Sequence, residues 1–93
     1  MLLEILTVEF RLEGCRSLKD KRRRLVGLRH RFGRATNVAV CESNYHDVHD
    51  RSEWTFVVTG TDQTIVERTL SHIEDRIENN VDAIVMGFER ESL

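Results

Sequence analysis

The sequence predicts one α+β domain over residues 1–93: a four-stranded antiparallel sheet with two helices on one face, in the order βαββαβ. Three observations lead there. Apolar residues recur with period two in four stretches and with helical spacing in two others, in that order. The 93 residues contain no proline, which favours regular elements joined by short turns. A chain that is 40% apolar and 32% charged has the balance of an ordinary globular domain, and its length suits one domain.

The first strand spans residues 2–12. Leu2, Leu6, Val8, Phe10 and Leu12 share one face and Thr7, Glu9 and Arg11 the other, the signature of a half-buried strand. Gly14 ends it. Ser17-Leu18-Lys19-Asp20 then resembles a capping box, with the serine oxygen accepting an orphan N–H and the aspartate reaching back. Leu18, Leu25, Leu28 and Phe32 fall within about an 80° arc at 100° per residue, so residues 18–33 read as an amphipathic helix closed by Gly33. Val38 and Val40 seed a second strand over 36–42. Trp54, Phe56 and Val58 alternate with Glu53, Thr55 and Thr59 in a third, which stops at Gly60. Thr61-Asp62 offers an N-cap to a second helix running to about Asn79, its core stripe read as Ile65, Thr69, Ile73 and Ile77 with Val66 and Leu70 at the flanks. In the closing strand Ile84, Met86 and Phe88 alternate with Ala83, Val85 and Gly87. Two interleaved right-handed βαβ crossovers make this a ferredoxin-like sandwich with strands one and three in the centre.

Several function classes are disfavoured at once. The apolar stretches fall far short of the roughly 20 residues a membrane span needs. Met1-Leu2-Leu3-Glu4 lacks a basic leader, and Cys15 and Cys41 read as free thiols of a reducing compartment, so a cytoplasmic protein without membrane association is expected. No phosphate-cradling glycine loop, nucleophile elbow or paired-carboxylate motif is present, so neither an enzyme nor a cofactor is expected. Cys15, beside the start of a helix but without a resolving thiol, reads as an inert turn residue.

Charge carries the functional signal. The formal net charge is −2, yet Arg11 to Arg34 holds ten basic residues against Glu13 and Asp20, while the rest holds four against fourteen acids. Opposite the apolar arc of the first helix lie Lys19, Arg23, His30 and Arg34, flanked by Arg22, Arg24, Arg29 and Arg31. Such a face suits a polyanion, because each phosphate neutralised releases condensed counterion. Lys19, Lys21, Arg22 and Arg23 also crowd the positive end of the helix dipole, where cations cost about 0.3–1 kcal/mol. The competing explanation is a wet face paired with Glu67, Glu74 or Glu78 of the second helix, although surface pairs contribute only about 0–1 kcal/mol each. The expected contacts to RNA phosphates are Arg16, Lys19, Arg22, Arg23, His30 and Arg34.

Other residues are candidates for chemistry. Lys21 falls inside the apolar arc and reads as a stem lying along the sheet end, its ammonium reaching out near a strand terminus. His46, Asp47, His49 and Asp50 gather in one loop, but their spacing fits no established metal motif, so no metal is expected. Asp47 and Arg51 read instead as ordering that loop by an Asx-turn or an ion pair. With Trp54 and Phe56 facing the helices, the open sheet face lacks the aromatic platform on which RNA-recognition modules stack bases. That face presents Ile5, Ala39, Cys41, Val57 and Val85 and suits packing against a second copy. A homo-oligomeric interaction module with no nucleic-acid role, formed through this face or by the basic helix meeting acids near Glu67, Glu74 and Glu78 of another chain, is therefore the alternative.

Gly14 through Arg23, Arg31-Phe32, Asn37-Val38-Ala39-Val40 and Asp47 through Arg51 resemble the YlxP-like family, small bacterial proteins grouped as a domain of unknown function. Ser17-Leu18-Lys19-Asp20-Lys21-Arg22 is the most specific part, and the resemblance extends to the final strand. It implies a ferredoxin-like fold. It also implies an RNA- or ribosome-related role, since such genes lie in some bacteria among those for transcription, translation initiation and ribosome maturation. Ser17, Leu18, Lys19, Lys21, Arg22, Asp47 and Arg51 occupy family-typical positions. The chain departs from the family at Gly14-Cys15, where members often carry proline, and at His49, where they often carry an aromatic residue.

Overall fold

Six elements appear in the computed structural model, which describes residues 1–93: β1 (Leu2–Arg11), α1 (Leu18–Phe32), β2 (Val38–Asn44), β3 (Arg51–Gly60), α2 (Gln63–Asn80) and β4 (Ile84–Ser92). The sheet order is β2-β3-β1-β4 and every pairing is antiparallel, so β1 and β3 are central as the alternation predicts. This is the ferredoxin-like arrangement. No helix is long and apolar enough to cross a membrane.

One face of the sheet and one stripe of each helix make the core. Leu6, Val8, Phe10 and Leu12 from β1 and its end meet Trp54, Phe56 and Val58 of β3, and both helices close over them. Phe32 of α1 packs edge-on to Phe56 at 5.5 Å between ring centroids, a pairing that adds about 0.5–1.5 kcal/mol to the area it buries. Cys15, in the turn between β1 and α1, is buried against this core and its thiol donates to the Ser17 carbonyl.

Local signals hold in outline and are corrected in detail. Gly14 has φ +70°, a left-handed turn that suits glycine. Ser17 caps α1 by accepting from the Asp20 N–H at 3.0 Å, but the reciprocal half of the capping box is absent, because the Asp20 carboxylate turns to Arg23 and Arg24. On α2 the buried seam keeps Ile73 and Ile77 of the expected stripe, but Val66 and Leu70 from its flank replace Thr69 and Ile65, the latter exposed. The β4 alternation breaks at a bulge. Val8 pairs with Phe88 and Phe10 with Val85, so one extra β4 residue lies between them and both Val85 and Phe88 face the core. Val85 is thereby removed from the open sheet face, where Ile84 and Met86 are exposed instead.

Candidate nucleic-acid interface

The basic segment is divided by what each side chain touches. Three of the nine Lys/Arg residues from Arg16 to Arg34 are committed to the fold. Lys21 is the most deeply committed, at 3% exposure. Its ammonium donates to the carbonyls of Tyr45 (2.7 Å), Val48 (2.7 Å) and Arg51 (3.1 Å), and it pairs with Glu42 Oε2 at 2.9 Å. Four acceptors surround three N–H groups, so the charge is fully solvated by protein. The same Glu42 oxygen accepts from the Ser52 hydroxyl. The ammonium lies near the β2 and β3 termini, as expected from sequence, but contrary to that expectation it does not reach out to water; the stem carries the charge inward and the 45–50 loop folds around it. Tyr45 has a left-handed φ of 63°, which costs a non-glycine residue about 1–2 kcal/mol, and its carbonyl is held by both Lys21 and the Val48 N–H.

Arg23 and Arg24 share Asp20, the former by a hydrogen bond and the latter at 3.2 Å. The Arg23 bond is the main reason the Asp20 carboxyl titrates below its usual range, with the Cys15 thiol and the Arg24 charge adding and partial desolvation opposing. Arg24 also donates to the Glu13 carbonyl at 2.8 Å and lies 3.8 Å from Asp82, tying the α1 entry to the turn before β4.

The remaining six, Arg16, Lys19, Arg22, Arg29, Arg31 and Arg34, are exposed and have no carboxylate within ion-pair distance. Of the expected phosphate contacts, Arg16, Lys19, Arg22, His30 and Arg34 are therefore unpaired, and Arg23 alone shares its charge with an internal acid. The pairing with the second helix that the competing explanation requires does not occur. Glu67 and Glu74 are instead gripped by Arg90 of β4, at 2.9 and 2.8 Å. Glu78, the third acid of that surface, has no ion-pair partner.

At 100° per residue, Arg22, Val26, Arg29 and His30 lie on the α1 flank that overhangs β2, whereas Arg24 and Arg31 lie on the α2 side. Between that flank and the sheet runs a groove of about 310 Å³, reaching Glu42 on β2 and Trp54 on β3. Arg29 lies over the Trp54 ring at 5.8 Å from its centroid, a cation–π contact. By helical phase Arg29 only flanks the basic face; its place beside Trp54 depends on the helix docking angle, which no local pattern encodes.

The loop carrying His46, Asp47, His49 and Asp50 brings no three potential metal ligands together. His46 Nε2 lies 2.9 Å from the Glu42 carbonyl. Arg51 does form an ion pair, but with Glu9 across the sheet rather than with Asp47, and it stacks on Tyr45 at 4.2 Å while donating to the Tyr45 hydroxyl.

No functionally curated protein matches the sequence. Among solved structures, one described as "Structural Genomics, protein YJCS" superposes with a TM-score of 0.61 over 98% of both chains at 8% identity, a likeness of fold alone. A family model described as "Protein of unknown function (DUF503)" matches residues 3–90, and by that match the chain belongs to the DUF503 family.

Proposed function

We propose that this chain is a non-enzymatic accessory protein of RNA or the ribosome, gripping phosphates with α1 and its ends in a cytoplasmic setting. The observation that carries this is the row of exposed cations without acidic partners from Arg16 to Arg34, in a molecule whose net charge is negative. Unpaired arginines repel one another and weaken the fold slightly, so their concentration on one ridge is better matched to an external polyanion than to stability. The YlxP-like resemblance of the Ser17–Arg22 stretch points the same way. Contacts of this kind position a backbone and are largely blind to sequence.

About five phosphate contacts give log K against log salt a slope of roughly −3.5 to −4.5. Titrating a structured RNA or purified ribosomal subunits across a salt series measures it. A salt-independent interaction, or unchanged binding by Arg22→Glu/Arg34→Glu, overturns the proposal.

A second reading is favoured by the open sheet face, where Ile5, Val57 and Ala39 stand in register across three strands, beside Cys41 and Leu3. A homodimer through this face predicts a sedimentation coefficient that depends on protein concentration and resists high salt, and Val57→Lys abolishes it.

A further inference from the structure

The groove between α1 and β2 carries more than charge. Its α1 wall presents Arg22, Arg29 and His30 around the half-exposed, apolar Val26. Its inner side holds Trp54, which is 6% exposed and whose indole N–H has no hydrogen-bond acceptor. Across from these lies Glu42. Oε2 of that carboxylate is taken by Lys21 and Ser52, while Oε1 accepts no hydrogen bond from the protein. Cations, an apolar wall and one unused carboxylate oxygen thus meet in a space of about 310 Å³, at the small end of the roughly 300–1,000 Å³ typical of ligand pockets.

A complementary ligand has an anionic group for the arginines, a flat apolar body for Val26 and a donor for Glu42. Phosphate, base and exocyclic amine of one nucleotide supply all three. We propose that the groove takes one unstacked nucleotide of a single-stranded RNA segment, selecting a base that carries an amine. This rests on the phosphate-gripping role of α1 and adds to it one position where a base is read. Carboxylates accept from the cytosine amine in the same way in known nucleic-acid interfaces. Uracil has a carbonyl oxygen at that position and is repelled by Glu42. Arg29 is held at the groove only by the indole and is free to turn to a phosphate, which alters the surroundings of the single tryptophan.

The test is fluorescence of Trp54 during titration with short oligocytidylate and oligouridylate of equal length, at low salt. Oligocytidylate is expected to change the emission and to bind roughly tenfold more tightly, the difference one hydrogen bond to a charged group makes. Val26→Phe, which fills the groove from an exposed position, is expected to bring oligocytidylate down to the affinity of oligouridylate. Equal affinities for the two oligonucleotides with salt-dependent binding intact overturn the base-reading groove and leave the phosphate ridge standing. Binding of neither overturns both. Cytidine monophosphate competing as well as the oligonucleotide overturns the assignment to a strand, and inorganic phosphate reproducing the emission change overturns the role of the base.

Discussion

The two helices lie on the same sheet face and treat charge in opposite ways. On α2, Asp62 caps the first turn by accepting from Thr64 and Ile65, and Arg90 gathers Glu67, Glu74 and the Ser71 hydroxyl into one network. Its seam is wholly apolar, and two of its acids, Glu67 and Glu74, are answered from within the molecule. On α1 the seam itself contains an ammonium, Lys21, and the exposed side leaves most of its guanidinium groups without a partner. The fold therefore can neutralise helix charge where stability benefits, and along the outer flank of α1 it does not. The contrast within α1 is sharper still. Lys21 and Arg22 are adjacent in sequence, yet one is coordinated by four protein oxygens and the other by none.

That contrast breaks first at Lys21. Lys21→Met leaves Glu42 mostly buried without its counter-charge and takes the ammonium from the carbonyls of Tyr45, Val48 and Arg51, so it is expected to cost about 3–5 kcal/mol. In a domain of this size the loss lowers Tm by roughly 12–40 °C in a thermal melt. Adding Glu42→Leu recovers part of it by removing the stranded charge. A melt within a few degrees of wild type for the single variant means that the loop holds without its ammonium.

Arg22→Glu with Arg34→Glu tests the opposite pole. Neither residue has a partner to lose, so stability stays within about 0.5 kcal/mol in urea denaturation. RNA affinity falls, and the salt slope becomes shallower by roughly 1.4–1.8, the share of two phosphate contacts. Arg90→Ala is expected to do the reverse: about 1 kcal/mol of stability is lost from a partly exposed network, while the salt slope stays the same. Together these variants separate charge that holds the fold from charge available to a partner.

Sequence patterns made the fold legible because each element carries its own period and stop signal, and two interleaved βαβ units admit few topologies. Where the reading slipped, long-range geometry had overridden a local pattern. The β4 bulge that turns Val85 inward depends on pairing with β1 about 75 residues earlier in the chain. The stripe on α2 is set by the docking of Val66 and Leu70 on the sheet, not by Ile65 alone. For the candidate site, the basic face was visible in composition and helical phase. Which cations are free was not, because the partners of Lys21 and Arg24 lie on distant loops and on Asp82. The groove is not legible in the sequence for the same reason: Glu42, Trp54 and Arg29 line one space only after α1 has crossed the sheet.

Asp20 stands at the boundary between the two uses of charge. It is the only acid on the exposed face of α1, and Arg23 and Arg24 already share it. Its carboxyl titrates below the ordinary range, chiefly because of the hydrogen bond from Arg23, so the folded state binds that proton less readily than the unfolded chain. The stability it contributes is complete above the unfolded value of about pH 4 and is lost as pH falls through the lower folded value. Because the pair is exposed and screened, the effect is small. Asp20→Asn should therefore flatten the acid limb of a stability–pH profile slightly and leave stability near pH 7 only a little lower. Its effect on binding has the opposite sign. Phosphate must compete with Asp20 for Arg23; with the carboxylate gone, the guanidinium is free, and RNA affinity rises a few-fold while the salt slope steepens by up to roughly 0.7–0.9. If binding weakens instead, Asp20 presents Arg23 to the phosphate rather than withholding it, and the boundary between structural and available charge lies beyond Arg23.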